Sequence, residues 1–140
     1  MKALLNWIKV QLDQDNTFKN IEIIPSQNFV PDGKGFPCAG ILDRGLDNAH
    51  KKTQSIQRLS VDIIVYQSIR LSDESSMMGS AVKTGILDLA DKVVGYLSAL
   101  PDGYHDFTYS GHGPSTPLTN DYQRFIVFKA LHFKYSRLKT

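Results

Sequence analysis

A single cysteine, Cys38, stands among 140 residues, so no disulfide can close within one chain and burial alone must hold the fold. Long apolar runs are missing as well: nothing approaches the roughly 18 residues that suggest a membrane span. The opening MKALLNWIKVQL begins like a signal peptide, but Asn6 and Lys9 break its apolar core, and a helix is the expected outcome. Charge of one sign is scarce too. Sixteen basic and fourteen acidic residues leave a net +2, far from the excess by which proteins hold nucleic acid through its phosphates. There is no internal repeat and no low-complexity tract.

Hydrophobic residues, in contrast, make up 41% of the chain, enough for one core without metals or cross-links. The length predicts a single domain over residues 1–140. Leu4, Leu5, Ile8 and Leu12 recur at helical spacing and predict an amphipathic helix over 2–14 that ends near Asp15 and Asn16. IEII at 21–24 and Cys38–Leu42 read as short strands around the turn-rich PSQNFVPDGKGFP. QRLSVDIIVYQ at 57–67 alternates clearly, with Leu59, Val61, Ile63 and Val65 on one face. The stretch between these strands, DRGLDNAHKKTQS at 43–55, reads as a long polar connection. Its Arg44, His50, Lys51 and Lys52 are candidates for an interaction loop.

SDESSMM offers Ser72 or Asp73 as an N-cap for a long helix. Val82, Ile86, Leu89, Val93 and Leu97 continue its apolar stripe to Leu100, where Pro101 and Gly103 stop it. A strand is predicted at 104–109, then a Gly/Pro/Ser/Thr-rich loop, then a closing strand, QRFIVFKALHFKYS, at 123–136. The order α-β-β-β-α-β-β predicts an α+β fold with two helices packed on one face of a four- to five-stranded, mainly antiparallel sheet.

Candidate chemistry is thin. His105, Asp106, Ser110 and His112 are residue types used in metal binding and nucleophilic catalysis, but neighbours along a strand face opposite ways and no third ligand follows at a recognised spacing. GHGPST at 111–116 lacks the lysine and second glycine of a phosphate-binding loop and precedes a strand rather than a helix. His50 and His132 stand alone. No catalytic residue, cofactor or metal site is expected, and the reading is of a protein that is not an enzyme. Arg124, Lys129 and the terminal KYSRLK give the end of the chain a basic character consistent at most with a weak DNA contact.

The closing strand is apolar on both faces. Ala130, being small, suits the approach of a helix, so Ile126, Phe128 and Ala130 are assigned to the helix side together with Leu59, Val61, Ile63 and Val65. Phe125, Val127, Leu131, Phe133 and Tyr135 then line the opposite face, as an apolar patch in need of a partner and the candidate subunit interface. A β-bulge near Lys129 would exchange the two faces.

The short N-terminal helix, the proline-bearing crossing, VDIIVYQ, GILDLADKVVGYL and RFIVFKALHFKY, taken in order, resemble phage tail-terminator and minor capsid proteins of the lambda tail-terminator type. The resemblance spans nearly the whole chain and is most pronounced from Asn120 to Tyr135. It implies a virion protein, present in host cytoplasm during assembly, that forms a homo-oligomeric ring, commonly a hexamer. Such a ring stops growth of the tail tube and joins tail to head. Its partners would be further copies of itself, the tail tube protein and the head connector proteins, with no membrane involved. Other neck and minor capsid roles share the same element order.

Overall fold

The computed structural model describes residues 1–26, 35–51, 54–70, 85–121 and 124–138. Helix α1 (Lys2–Leu12) buries Leu4, Leu5, Ile8 and Leu12, the stripe that the sequence spacing demands. Its end is abrupt. A 3₁₀ turn over Gln14–Asn16 follows, in which Asp15 and Asn16 take φ of 59° and 51°, a left-handed geometry that short polar side chains tolerate best among non-glycine residues. The turn is tied to the second helix, α2 (Ile86–Leu97), by the Tyr96 hydroxyl, 2.7 Å from Thr17 Oγ1 and 3.3 Å from Asp15 Oδ2. The helix start expected at Ser72 or Asp73, and Val82, lie outside the described residues.

Six strands form one mixed sheet: β1 (Asn20–Ile23), β2 (Cys38–Lys51), β3 (Gln54–Arg70), β4 (Tyr104–His112), β5 (Thr116–Asp121) and β6 (Arg124–Leu138). Their spatial order is β1-β2-β3-β6-β4, and β5 continues along the same edge of β6 as β4, so the sheet is five strands wide. β1 runs parallel to β2 and every other pairing is antiparallel. The α+β class with both helices on one face is therefore what the chain adopts. β3 and β6 form its spine, paired without a break from Ile56–Leu138 to Arg70–Arg124.

Two segments expected as loops are strands. Residues 43–51 belong to β2 and 54–55 to β3, which is paired on its other side to β6 from Ile56 onward, so the polar stretch is a strand ribbon at the sheet edge rather than a loop. It carries polar residues on both faces because both faces meet water: Asp43 through Asn48 are exposed one after another although the strand is paired. A bulge between Asp43 and Leu46 sets two residues, Arg44 and Gly45, against Ser60 alone, and Gly45 takes φ +103° there. The Gly/Pro-rich stretch likewise yields β5, which pairs with the start of β6.

The closing strand faces the other way from the assignment made above. Val127, Leu131, Phe133 and Tyr135 lie under the helices, in one core with Leu4, Ile8, Leu89, Val93, Leu59, Val61, Ile63 and Val65. Register dictates it, since Leu59 faces Tyr135, Val61 faces Phe133 and Ile63 faces Leu131, and directly paired residues share a face. Tyr135 fixes the arrangement: it is fully buried and its hydroxyl donates to the Leu97 carbonyl at 3.1 Å, with burial raising its pKa. These four residues are core, not an exposed interface. The side chain of Phe125 lies outside the described residues.

Phe128 and Ala130 occupy the rear face with Cys38, Leu42, Ile64 and Tyr66, and Ile126 packs beside them. The cover that this second apolar face requires comes from the chain itself, since Ile24 and Phe36, at the two ends of the β1–β2 crossing, pack onto it. Gly40 permits this. A Cβ there would overlap the Ile24 side chain, which would have to shift to admit it.

Candidate functional site

Below the apolar half of the rear face the same strands turn polar. Asp62 sits in the middle of β3, 6% exposed, flanked in register by Leu42 on β2 and His132 on β6. His132 Nδ1 donates to Asp62 Oδ1 at 2.7 Å, and Arg44 Nε lies 3.5 Å from Oδ2. The carboxylate thus receives one cation or donor from each neighbouring strand, which is what a buried charge requires. Asp62 fixes the imidazole by its Nδ1 edge, as orienting carboxylates do, while 47% of the His132 side chain remains exposed. The two clefts described lie elsewhere, one of about 490 Å³ beside Lys9, Val10 and Lys19 and one of about 380 Å³ beside Trp7, Tyr104 and Arg137. Neither of these two clefts is lined by Asp62 or His132.

The polar residues of β4 and the loop after it do not converge. Asp106 Oδ1 accepts from the Phe107 backbone at 2.9 Å, and Ser110 Oγ donates to the His132 carbonyl at 3.3 Å. His112 Nδ1 is 3.2 Å from the Gly113 carbonyl, with its ring stacked 6.5 Å from Tyr109, and His105 is exposed. Among the described residues no three His, Cys, Asp or Glu side chains are placed to hold a metal ion. The GHGPST loop uses its backbone in the sheet: Gly113 N donates to Ala130 O at 3.0 Å, and its carbonyl accepts from Lys129 Nζ at 2.7 Å. Lys129 is 4% exposed and points from the centre of β6 to that edge, where desolvation lowers its pKa. An alternating pattern gives no hint that a lysine within it reaches the loop between β4 and β5.

Of the four predicted loop residues, Arg44 is placed at the ribbon's bulge, ion-paired to Asp62. His50 and Lys51 face Ser55 and Gln54 at the ribbon's end, with their side chains outside the described residues, as Lys52 is altogether. Sequence reasoning missed the Asp62–His132 pair, because only register brings together two residues 70 positions apart.

On the helix side an aromatic series runs from the core to the sheet edge. Trp7 meets Tyr135 edge-on at 5.9 Å, Tyr135 touches Phe107 at 5.3 Å, and Phe133 lies between Phe107 at 5.7 Å and Tyr109 at 5.1 Å. Phe107 and Tyr109 are half-buried members of the outermost strand, so β4 carries an apolar side without full cover. None of the described helices is long and apolar enough to cross a membrane. No family model and no curated protein matches this chain in sequence.

Proposed function

We propose that this chain is a self-assembling structural subunit, a phage tail-terminator or neck protein whose ring closes the tail tube and meets the head. One observation supports the reading most directly. Past its pairing with β1, β2 runs on along the sheet edge with Asp43–Asn48 exposed one after another, yet it is held by pairing to β3 and anchored through Arg44 to buried Asp62. An edge length of this kind buries little of its own apolar surface, and so adds little to the stability of an isolated subunit. It gains area when a neighbour packs against it. The order of elements that resembles tail terminators is the second support, and a virion location follows from the same resemblance.

The interface belongs on the ribbon and the sheet edges, since Val127, Leu131, Phe133 and Tyr135 are already used by the core. Visualising purified protein by negative-stain electron microscopy tests the reading: it predicts closed rings with a central opening. Particles of single-subunit size at every concentration would contradict it.

A further inference from the structure

Both edges of the sheet carry lengths that no described strand pairs, where two amides are held in the single chain by carboxylates of their own strand, Gly45 N by Asp43 Oδ1 at 2.8 Å and Phe107 N by Asp106 Oδ1 at 2.9 Å. β1 covers β2 from Cys38 to Ile41, and among the described residues no strand pairs with the outer side of β2 beyond that point. At the opposite edge β4 pairs with β6 on its inner side, and among the described residues nothing pairs with its outer side. These two free lengths lie at the same level. Three rows of register partners cross the sheet from one to the other: Asp43-Val61-Phe133-Tyr109, Leu46-Leu59-Tyr135-Phe107 and Asp47-Arg58-Ser136-Asp106. Three successive antiparallel pairings make β2 run opposite to β4, so two copies set side by side in one orientation present these edges to each other as an antiparallel pair.

We infer that β2 of one copy pairs with β4 of the next, extending the sheet from subunit to subunit. This rests on the self-assembly reading above and supplies its contact. The contact is head-to-tail, so rotation between copies closes it into a ring. Side chains fit the straight register on the helix side. Leu46, 42% exposed in the single chain, meets half-buried Phe107 of the neighbour, and each covers apolar surface that water now touches. Bulges limit the paired length. Those at Tyr104/Asp106 and Tyr109/His112 leave Asp106–Tyr109 as the regular run of β4, opposite Leu46 and the residues around it. The same rows set Asp47 beside Asp106 on the rear side. Two carboxylates directly opposed weaken association at low salt, so assembly strengthens as salt rises.

Hydrogen exchange on the full chain, followed by mass spectrometry at concentrations that span assembly, tests the contact. Alternate amides within 43–47 and 106–109 should gain about tenfold protection or more on assembly, as edge groups do when they enter a ladder. Leu46→Asp, a change at an exposed site that leaves the monomer folded, should weaken assembly at least tenfold. Asp106→Asn should tighten it roughly two- to fivefold, the span of one relieved like-charge pair. Oligomers that form while both segments exchange as in the monomer would overturn this contact and leave self-assembly standing. Absence of any oligomer would overturn both.

Discussion

Asp62 and His132, 70 positions apart, face each other across the β3–β6 pairing with Oδ1 2.7 Å from Nδ1, and Arg44 approaches the second carboxylate oxygen from β2. One buried carboxylate thereby joins three strands at the level where the apolar rear face ends and the exposed ribbon begins. Replacing Asp62 with Ala should cost about 1–2 kcal/mol in urea unfolding, since the two partners are half-exposed and regain water when released. A double-mutant cycle with His132→Ala should return a coupling of about 1 kcal/mol. Additive losses would remove the pair's role in holding the strands.

Leu131 and Phe133 are fully buried beneath α1 and α2, so their truncation acts on the monomer. Leu131→Ala should cost about 2–5 kcal/mol and Phe133→Ala about 3–5 kcal/mol, by lost burial plus the cavity left behind. The check is unfolding at two protein concentrations well apart. The loss should be the same at both, whereas an interface role would make it vary.

Gly40 lies beneath Ile24, where an added Cβ has no room. Gly40→Ala should therefore destabilise by about 1–3 kcal/mol, the usual cost of overpacking. Ile24→Ala in the same chain should recover part of that loss, although alone it is destabilising. Thermal unfolding of the two single variants and the double variant measures the compensation.

Cys38 is 1% exposed, and desolvation, with the Glu22 carboxylate second, pushes its thiol from 9.0 up to about 12. In the unfolded chain the thiol ionises near its ordinary value while the folded form holds its proton. Stability from this site is therefore complete below pH 9 and is lost between pH 9 and about 12. By pH 10 the wild type should have lost about 1 kcal/mol that Cys38→Ala does not lose. Tyr135, raised by burial, and Tyr66, raised by burial and then by Cys38 itself, add losses of the same sign at higher pH, so the comparison with the alanine variant is read at pH 10 and below. Parallel pH profiles for the two proteins would count against the shift.

How far the sequence carries depends on where water lies. QRLSVDIIVYQ could be assigned correctly, with Leu59, Val61, Ile63 and Val65 beneath the helices, because one side of β3 alternates with polar residues for part of its length. RFIVFKALHFKY offers no such contrast, since both of its faces are covered, and small Ala130 pointed to the helix side when it packs at the rear. Lys129 gave no guidance either: a lysine usually marks a solvated face, yet its ammonium crosses buried surface to the Gly113 carbonyl. The ribbon at 43–55 was illegible for the opposite reason. With water on both faces a strand needs no hydrophobic period, and Gly45 at the bulge was the one local sign of its geometry. The Asp62–His132–Arg44 cluster depends on register among three strands, which no local pattern encodes.

The account's central claim is self-assembly, and absolute mass from light scattering after size exclusion tests it most directly, over a range of protein concentration and salt. The account predicts a discrete species near six times the 15.7 kDa chain, with its population rising with salt. A single 15.7 kDa species across the whole range would contradict it.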